Sequence, residues 1–224
     1  MPRESLTREQ IVRAAVEVLD AEGVGGLNMR RLGTQLGVAA TAVYYHVKNK
    51  NELVTLAADL VWGEVELPDS AEIGWRTATS ELARSVHAMI GRHFWLLAAM
   101  STHLIYGPNK ARYDDHCLAI YEDAGFTEPD ADQASATVLM FVIGAAQGEA
   151  AEAAWRADLR RAGADEDQHL RDTIARIGEI AHQFPRLRAR TMPSMETTPA
   201  LPDEVTFDFG LRAILDGLAA RLAT

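Results

Sequence analysis

The sequence predicts an all-α protein, with a small N-terminal three-helix head joined to a larger helical body. Three observations carry this. Nearly every segment with an apolar period has helical spacing, with apolar residues recurring three and four positions apart. Helix-start signals recur, with Thr7, Asn28 and Asn49 each just ahead of a periodic run. No segment reads as a strand, an internal repeat or a low-complexity tract.

Taken in order, Leu6-Thr7-Arg8-Glu9-Gln10-Ile11 forms a complete start for the first helix. Thr7 is the cap, Gln10 closes a capping box, and Leu6 can staple onto Ile11. Ile11, Ala14, Ala15 and Val18 share one face, and the run from Gly23 to Gly26 ends the helix. Asn28 caps a short second helix from Met29 to Leu36, with Leu32 and Leu36 inward, stopped by Gly37. A third short helix spans about Ala40 to Val47. Asn49 caps a fourth, with Glu52 three residues on, reaching about Val65.

A break at Leu67-Pro68-Asp69-Ser70 precedes longer helices over about 71–92, 94–103, 109–124, 130–162 and 166–183. Pro108 and Pro129 stand near the starts of two of them, where a missing N–H is harmless. Residues 184–203 hold four prolines and no period, so a long loop is expected there. The final helix begins near Asp203 with the stripe Phe207, Leu211, Ile214, Leu218 and Leu222. The implied division is a three-helix head over 1–48, a connecting helix over 49–67 and a larger helical body over 68–224.

Composition narrows the function classes. Hydrophobic residues make up 48% of 224, enough for a sizeable core. Cys117 is the only cysteine, so no intramolecular disulfide forms, which fits a reducing cytoplasm. The N-terminus lacks a signal-peptide run, and the apolar run at 138–146 is too short to span a bilayer, so a cytoplasmic protein without membrane partners is expected. A net charge of −10 argues against general coating of nucleic acid. Residues 1–50 nevertheless carry seven basic against five acidic side chains.

The stretch GVAATAVYYHVKNKNEL, residues 37–53, concentrates aromatic and basic groups. Two helices joined by a short glycine turn make a helix-turn-helix, whose second helix enters the major groove. Val38, Val43 and Val47 are available to hold the third helix on the core. Ala40, Thr41, Tyr44, Tyr45 and His46 then point elsewhere. Phenol hydroxyls suit phosphates, and ring edges suit thymine methyls. Lys48 and Lys50 flank the start of the fourth helix, where free N–H groups and the helix dipole favour a phosphate. Arg30 can reach a backbone or groove edge. Short helix pairs with a glycine turn are also common in proteins that never touch DNA.

Residues 7–62 resemble the N-terminal domain of the tetracycline-repressor (TetR) family of bacterial transcription regulators. The resemblance lies in LTREQIVRAAVEVLDAEGVGGLNMRRLGTQLGV and above all in VYYHVKNKNEL. It implies that Arg30, Thr41, Tyr44, Tyr45, His46 and Lys50 face DNA. Ala39 departs from the pattern, standing where a capping serine is common, and so does Ala40, where a longer polar reader can occur. Base readout then rests on few side chains, with phosphate contacts and DNA shape carrying more.

The segments HLIYGPN, DAGFTEPDA and FDFGLRAILDGLAARL are similar to the effector and dimerisation domain of that family. The resemblance implies a homodimer through a four-helix bundle of the 130–162 helix and the last helix. It also implies a repressor released from a palindromic operator by a small-molecule effector. Gly144 and Gly148, and Gly210 and Gly217, are spaced to let helices approach closely, within one chain or between two.

Aromatic and polar groups in otherwise apolar helices are the candidate ligand contacts: Trp95, Met100, His103, Tyr113, His116, Phe141, Gln147 and Trp155. HLIYGPN resembles the place where tetracycline-binding members supply a histidine to a drug-bound magnesium ion. Glu149 is one position out of register for the partner carboxylate, so that ion is not predicted. No cofactor, metal site or enzymatic activity is expected. Asp114-Asp115-His116 lacks the Glu-x-x-His spacing of carboxylate metal bundles, and no phosphate-cradling glycine motif is present. A purely protein-binding helical scaffold would have no use for the Tyr-Tyr-His and lysine cluster.

Overall fold

The computed structural model describes residues 6–191 and 203–222. Among these residues there are twelve helices and no strand. The head holds α1 (Arg8–Gly26), α2 (Met29–Gln35) and α3 (Ala40–His46), and α4 (Lys50–Trp62) leads out of it. The body holds α5 (Ser70–Ile73), α6 (Trp75–Arg92), α7 (Trp95–Thr102), α8 (Pro108–Asp123), α9 (Glu128–Ala162), α10 (Glu166–Ala181), α11 (Pro185–Thr191) and α12 (Asp203–Leu222).

The helix starts form as local chemistry dictates. Thr7 Oγ1 accepts from Gln10 N while Gln10 Oε1 accepts from Thr7 N, closing the capping box. Asn28 Oδ1 takes the first N–H groups of α2, and Asn49 Oδ1 takes Glu52 N at 2.8 Å. Gly23 interrupts α1 with φ 67, and Gly37 turns α2 into α3 with φ 68; only glycine adopts such values without strain.

Three expectations need correcting. Residues 71–92 are two helices rather than one: Gly74, at φ 78, ends α5 and starts α6, and Asp69 caps α5. The expected loop from 184 begins as a helix, α11, because Pro185 sits at its first position, where no backbone N–H is needed. The rest of that loop, 192–202, lies outside the described residues. Helix α4 stops at Trp62, while Val65 is buried just beyond it.

Helix α9, about 50 Å long at the usual rise, is the spine. It packs against α1, α6, α7, α8, α10 and α12. A continuous apolar core runs from Ile11 in α1 through Leu53 and Trp62 in α4 to Leu211 and Leu215 in α12. Leu215 belongs to the buried stripe of α12 although the sequence pattern placed Ile214 there; Ile214 is half-buried. Head and body therefore share a core.

One polar device joins them. Asp59 of α4 is buried yet accepts from Asn109 N at 3.1 Å and Lys110 N at 3.0 Å, capping α8 from another helix. A carboxylate held by two backbone N–H groups at a helix start has exchanged its hydration for comparable partners.

Candidate nucleic-acid interface and body cavity

Helix α3 is anchored on one side and open on the other. Val43 and Val47 are buried, and Val38 packs against the same core. Thr41, Tyr44 and Tyr45, at i, i+3 and i+4, share the opposite face. Tyr44 is 50% exposed and Tyr45 88% exposed. His46 is half-buried, its ring edge-on to Tyr45 with centroids 5.4 Å apart. Ala39 gives α3 no side-chain cap, as its methyl group requires.

Gly33 sets how closely α2 and α3 approach, and sequence reading missed it. A Cβ there would lie 2.9 Å from Val38 O and 3.1 Å from Ala40 N. Val38 N donates to Gly33 O at 2.8 Å across this contact. The signal was available, since a glycine inside a helical period often marks a close approach.

The basic residues divide. Arg30 and Lys48 are exposed. Lys50 does not stand free as expected: its Nζ donates to Val24 O at 2.7 Å, capping the end of α1. Burial, and then the Arg161 charge, lower its pKa. The phosphate seat expected at the start of α4 is also partly filled from within, because Asn49 takes Glu52 N and the Glu52 carboxylate takes Lys48 N and the Arg8 guanidinium. A helix start emits a fixed number of N–H groups, and this chain satisfies several of them itself.

The eight candidate ligand contacts are spread over α7, α8 and α9 and the turn after α7. Of the eight, Tyr113 lines the cavity between α6, α8 and α9. Trp95 is buried at the head–body junction, where Nε1 donates to Asp20 Oδ1 at 2.6 Å. His116 Nε2 meets the Pro68 carbonyl at 2.9 Å. Phe141 packs on Phe207 and over Gly210. Met100 and Trp155 are half-buried, and Gln147 is exposed on α9. His103 ends α7, with Leu104 and Tyr106 exposed just beyond it. Their shared property, a polar or aromatic group within an apolar helix, does not encode which side of the helix faces a cavity.

The cavity is small, about 10 Å³, room for one water molecule. Thr79, Tyr113, Cys117, Tyr121 and Ser135 bring hydroxyl and thiol groups to its wall. Tyr113, Cys117 and Tyr121 stand four residues apart along α8, a spacing that sequence reading could have used. Burial holds both tyrosines well above their ordinary values and pushes the Cys117 thiol up to about 11. The lining is neutral near pH 7. Lys110 lies over the Trp62 and Tyr113 rings, 5.0 and 5.4 Å from their centroids, so the cavity wall contacts α4.

Residues 11–57 match the family model described as bacterial regulatory proteins, tetR family. Residues 67–222 match the model described as tetracyclin repressor-like, C-terminal domain. The chain is 32% identical over 223 residues to the HTH-type transcriptional repressor DrrR1 of Streptomyces coeruleorubidus, covering 99% of this chain and 80% of the relative. It is 30% identical over 218 residues to the class A tetracycline repressor of Escherichia coli, covering 94% and 89%. Its fold is similar to the crystal structure of the Streptomyces coelicolor TetR family protein ActR in complex with actinorhodin. The TM-score is 0.75 at 27% identity, with 97% of each chain covered.

Proposed function

The chain belongs to the TetR family of bacterial transcription regulators, and from that premise we propose how its own residues perform the work. It is a DNA-binding regulator. In the proposed mode two copies bind a palindromic operator as a repressor in the cytoplasm and are released by a small-molecule effector. The proposed division of labour is a head over 1–48, a connecting helix over 49–67 and an effector and dimer body over 68–224.

The observation that carries the DNA contact is the split on α3: Val43 and Val47 buried, Tyr44 and Tyr45 open to solvent. Exposed rings gain nothing from water but gain contact area in a groove. Thr41, Tyr44, Tyr45 and His46 are proposed to enter the major groove, with Arg30 and Lys48 on flanking phosphates. Lys50 is proposed to act on DNA through the start of α4 that it fixes against α1, since one of its donors is held by Val24.

Two observations support a homodimer through α9 and α12. Helix α9 contains an 18-residue window of mean hydropathy 1.3, of which 28% is buried within the chain. Its open apolar face includes Met140, and α12, which packs on α9, leaves Phe209 74% exposed. A Cβ on Gly144, Gly148 or Gly217 would meet nothing within 4 Å, whereas Gly210 is accounted for by Phe141 in the same chain. Single helices bind a groove weakly, so two heads held one DNA turn apart give the operator its specificity.

The effector is proposed to open the cavity between α6, α8 and α9. An occupant larger than water must displace α6 or α8: α8 is tied to the connecting helix α4 through Asp59 of α4 and its own Lys110, and the turn after α6 meets Asp20 of α1 in the head. Such a ligand relieves repression by favouring a head spacing the operator does not fit.

The test is binding to a duplex selected from a random library by the unmodified protein. Tyr45→Ala is expected to weaken binding by tenfold or more, about 1.4 kcal/mol. Its helix content and sedimentation should be unchanged, since the removed ring touches little of the fold. Unchanged affinity in both Tyr44→Ala and Tyr45→Ala would overturn the proposed interface.

A further inference from the structure

We propose that His93 is a positioning residue for operator binding, its ring pinning the DNA-binding head to the body. The inference rests on the DNA-binding reading above.

His93 sits in the turn between α6 and α7 and is buried. Its Nδ1 is 2.7 Å from Asp20 Oδ1 on α1, and its Nε2 is 3.2 Å from both carboxylate oxygens of Glu64, just past α4. A neutral imidazole has one N–H and one lone pair, so it would turn a lone pair toward one of these carboxylates. Only the imidazolium donates to both. Trp95 Nε1 donates to the same Asp20 oxygen, and Arg92 of α6 donates to Glu64 at 2.9 Å. Among the described residues, Asp20 of α1, Glu64 just past α4 and Arg92 of α6 are the charged groups about the ring, and α7 adds the neutral Trp95. Burial pulls the His93 pKa down, but the Asp20 and Glu64 contacts outweigh it, so the ring holds its proton above the ordinary histidine range.

The placement gives this contact a consequence for DNA. Helix α1 precedes α2, and α4 follows α3, so Asp20 and Glu64 lie on the two segments that carry the helix-turn-helix at either end. The next residue, Phe94, puts its ring 3.5 Å from where a Gly23 Cβ would lie, against the break in α1. Helix α6, whose end positions His93, also contributes Thr79, Leu82 and Ala83 to the cavity wall. Deprotonation costs the ring one of its two links. The longer one, to Glu64, is the one released, because Arg92 still neutralises that carboxylate. The head then loses a fixed pitch, and the two heads lose their common spacing.

The experiment measures affinity for the selected duplex by fluorescence anisotropy at fixed ionic strength from about pH 6 to about pH 9. Unmodified protein and His93→Gln are measured in parallel, so that every contribution other than that of His93 is common to both. With His93 present, affinity is expected to fall by about fivefold or more across this range, the lower end of ordinary couplings between sites. With His93→Gln most of that fall is expected to disappear. Glu64→Gln, which keeps the ring but removes a charge, is expected to move the fall to lower pH. A profile that is flat with His93 present, or unchanged by His93→Gln, overturns the inference. So does a ring ¹⁵N titration of the unmodified protein that shows neutral His93 at pH 7, a reading that holds even if a variant fails to fold. If the unmodified protein selects no duplex, the DNA-binding reading itself fails, and the ring titration still decides the charge of His93.

Discussion

Val43 and Tyr44 are neighbours in sequence with opposite fates, one sealed in the core and one half in water. That contrast between successive residues is what supports the proposed reading surface on α3. Asp59 makes the complementary point, a buried carboxylate whose two backbone partners lie at the start of another helix. Replacing it with alanine removes the acceptor and leaves those N–H groups unpaired. Asp59→Ala should therefore lower unfolding free energy by about 2–3 kcal/mol in urea titrations. A loss no larger than that of an ordinary surface substitution would show that α8 does not depend on this cap.

At the scale of elements, the turn between α2 and α3 is governed by Gly33 as much as by Gly37. Adding a methyl group at Gly33 meets backbone atoms of Val38 and Ala40, which cannot rotate away. Gly33→Ala should cost about 1–3 kcal/mol of stability and tilt α3 off its seat, cutting operator affinity by tenfold or more. Gly91→Ala on α6, where nothing lies within 4 Å, should instead be neutral or stabilising by about 0.5–1 kcal/mol. Similar melting behaviour and DNA binding in the two variants would refute the close approach.

At the scale of the whole molecule, two predictions follow from how head, body and copies meet. The first concerns pH. Burial pushes the Glu64 pKa up, but Arg92 and His93 hold it lower overall, below its ordinary 4.5. Its stabilisation is complete above 4.5 and fades as pH falls through the depressed value. The His93 value is raised, so its stabilisation is complete below the ordinary 6.5 and fades as pH rises through the raised value. The Tm difference between unmodified protein and His93→Gln should therefore be greatest between pH 4.5 and 6.5 and shrink on either side. A constant difference across pH would show that the charges contribute nothing. The second concerns assembly. Gly148 opens onto free space within one chain. Gly148→Arg should leave helix content intact while sedimentation shifts from dimer to monomer, with operator binding lost. A dimer that survives this substitution would place the interface elsewhere.

The sequence by itself determined most of the helices, though not the α5–α6 break or α11, their caps at Thr7, Asn28 and Asn49, and the anchored and open faces of α3. It also determined the family resemblance in VYYHVKNKNEL. These are legible because they depend on residues within about one turn of each other, where backbone geometry fixes which side chains meet. Only the tertiary structure decided that Lys50 caps α1 through Val24, that Tyr113 rather than Trp95 or His103 lines the cavity, and that Asp20, Glu64 and His93 meet. Those pairings join residues tens of positions apart. No local period carries them, because they are set by how α1, α4, α6 and α9 pack about a shared core.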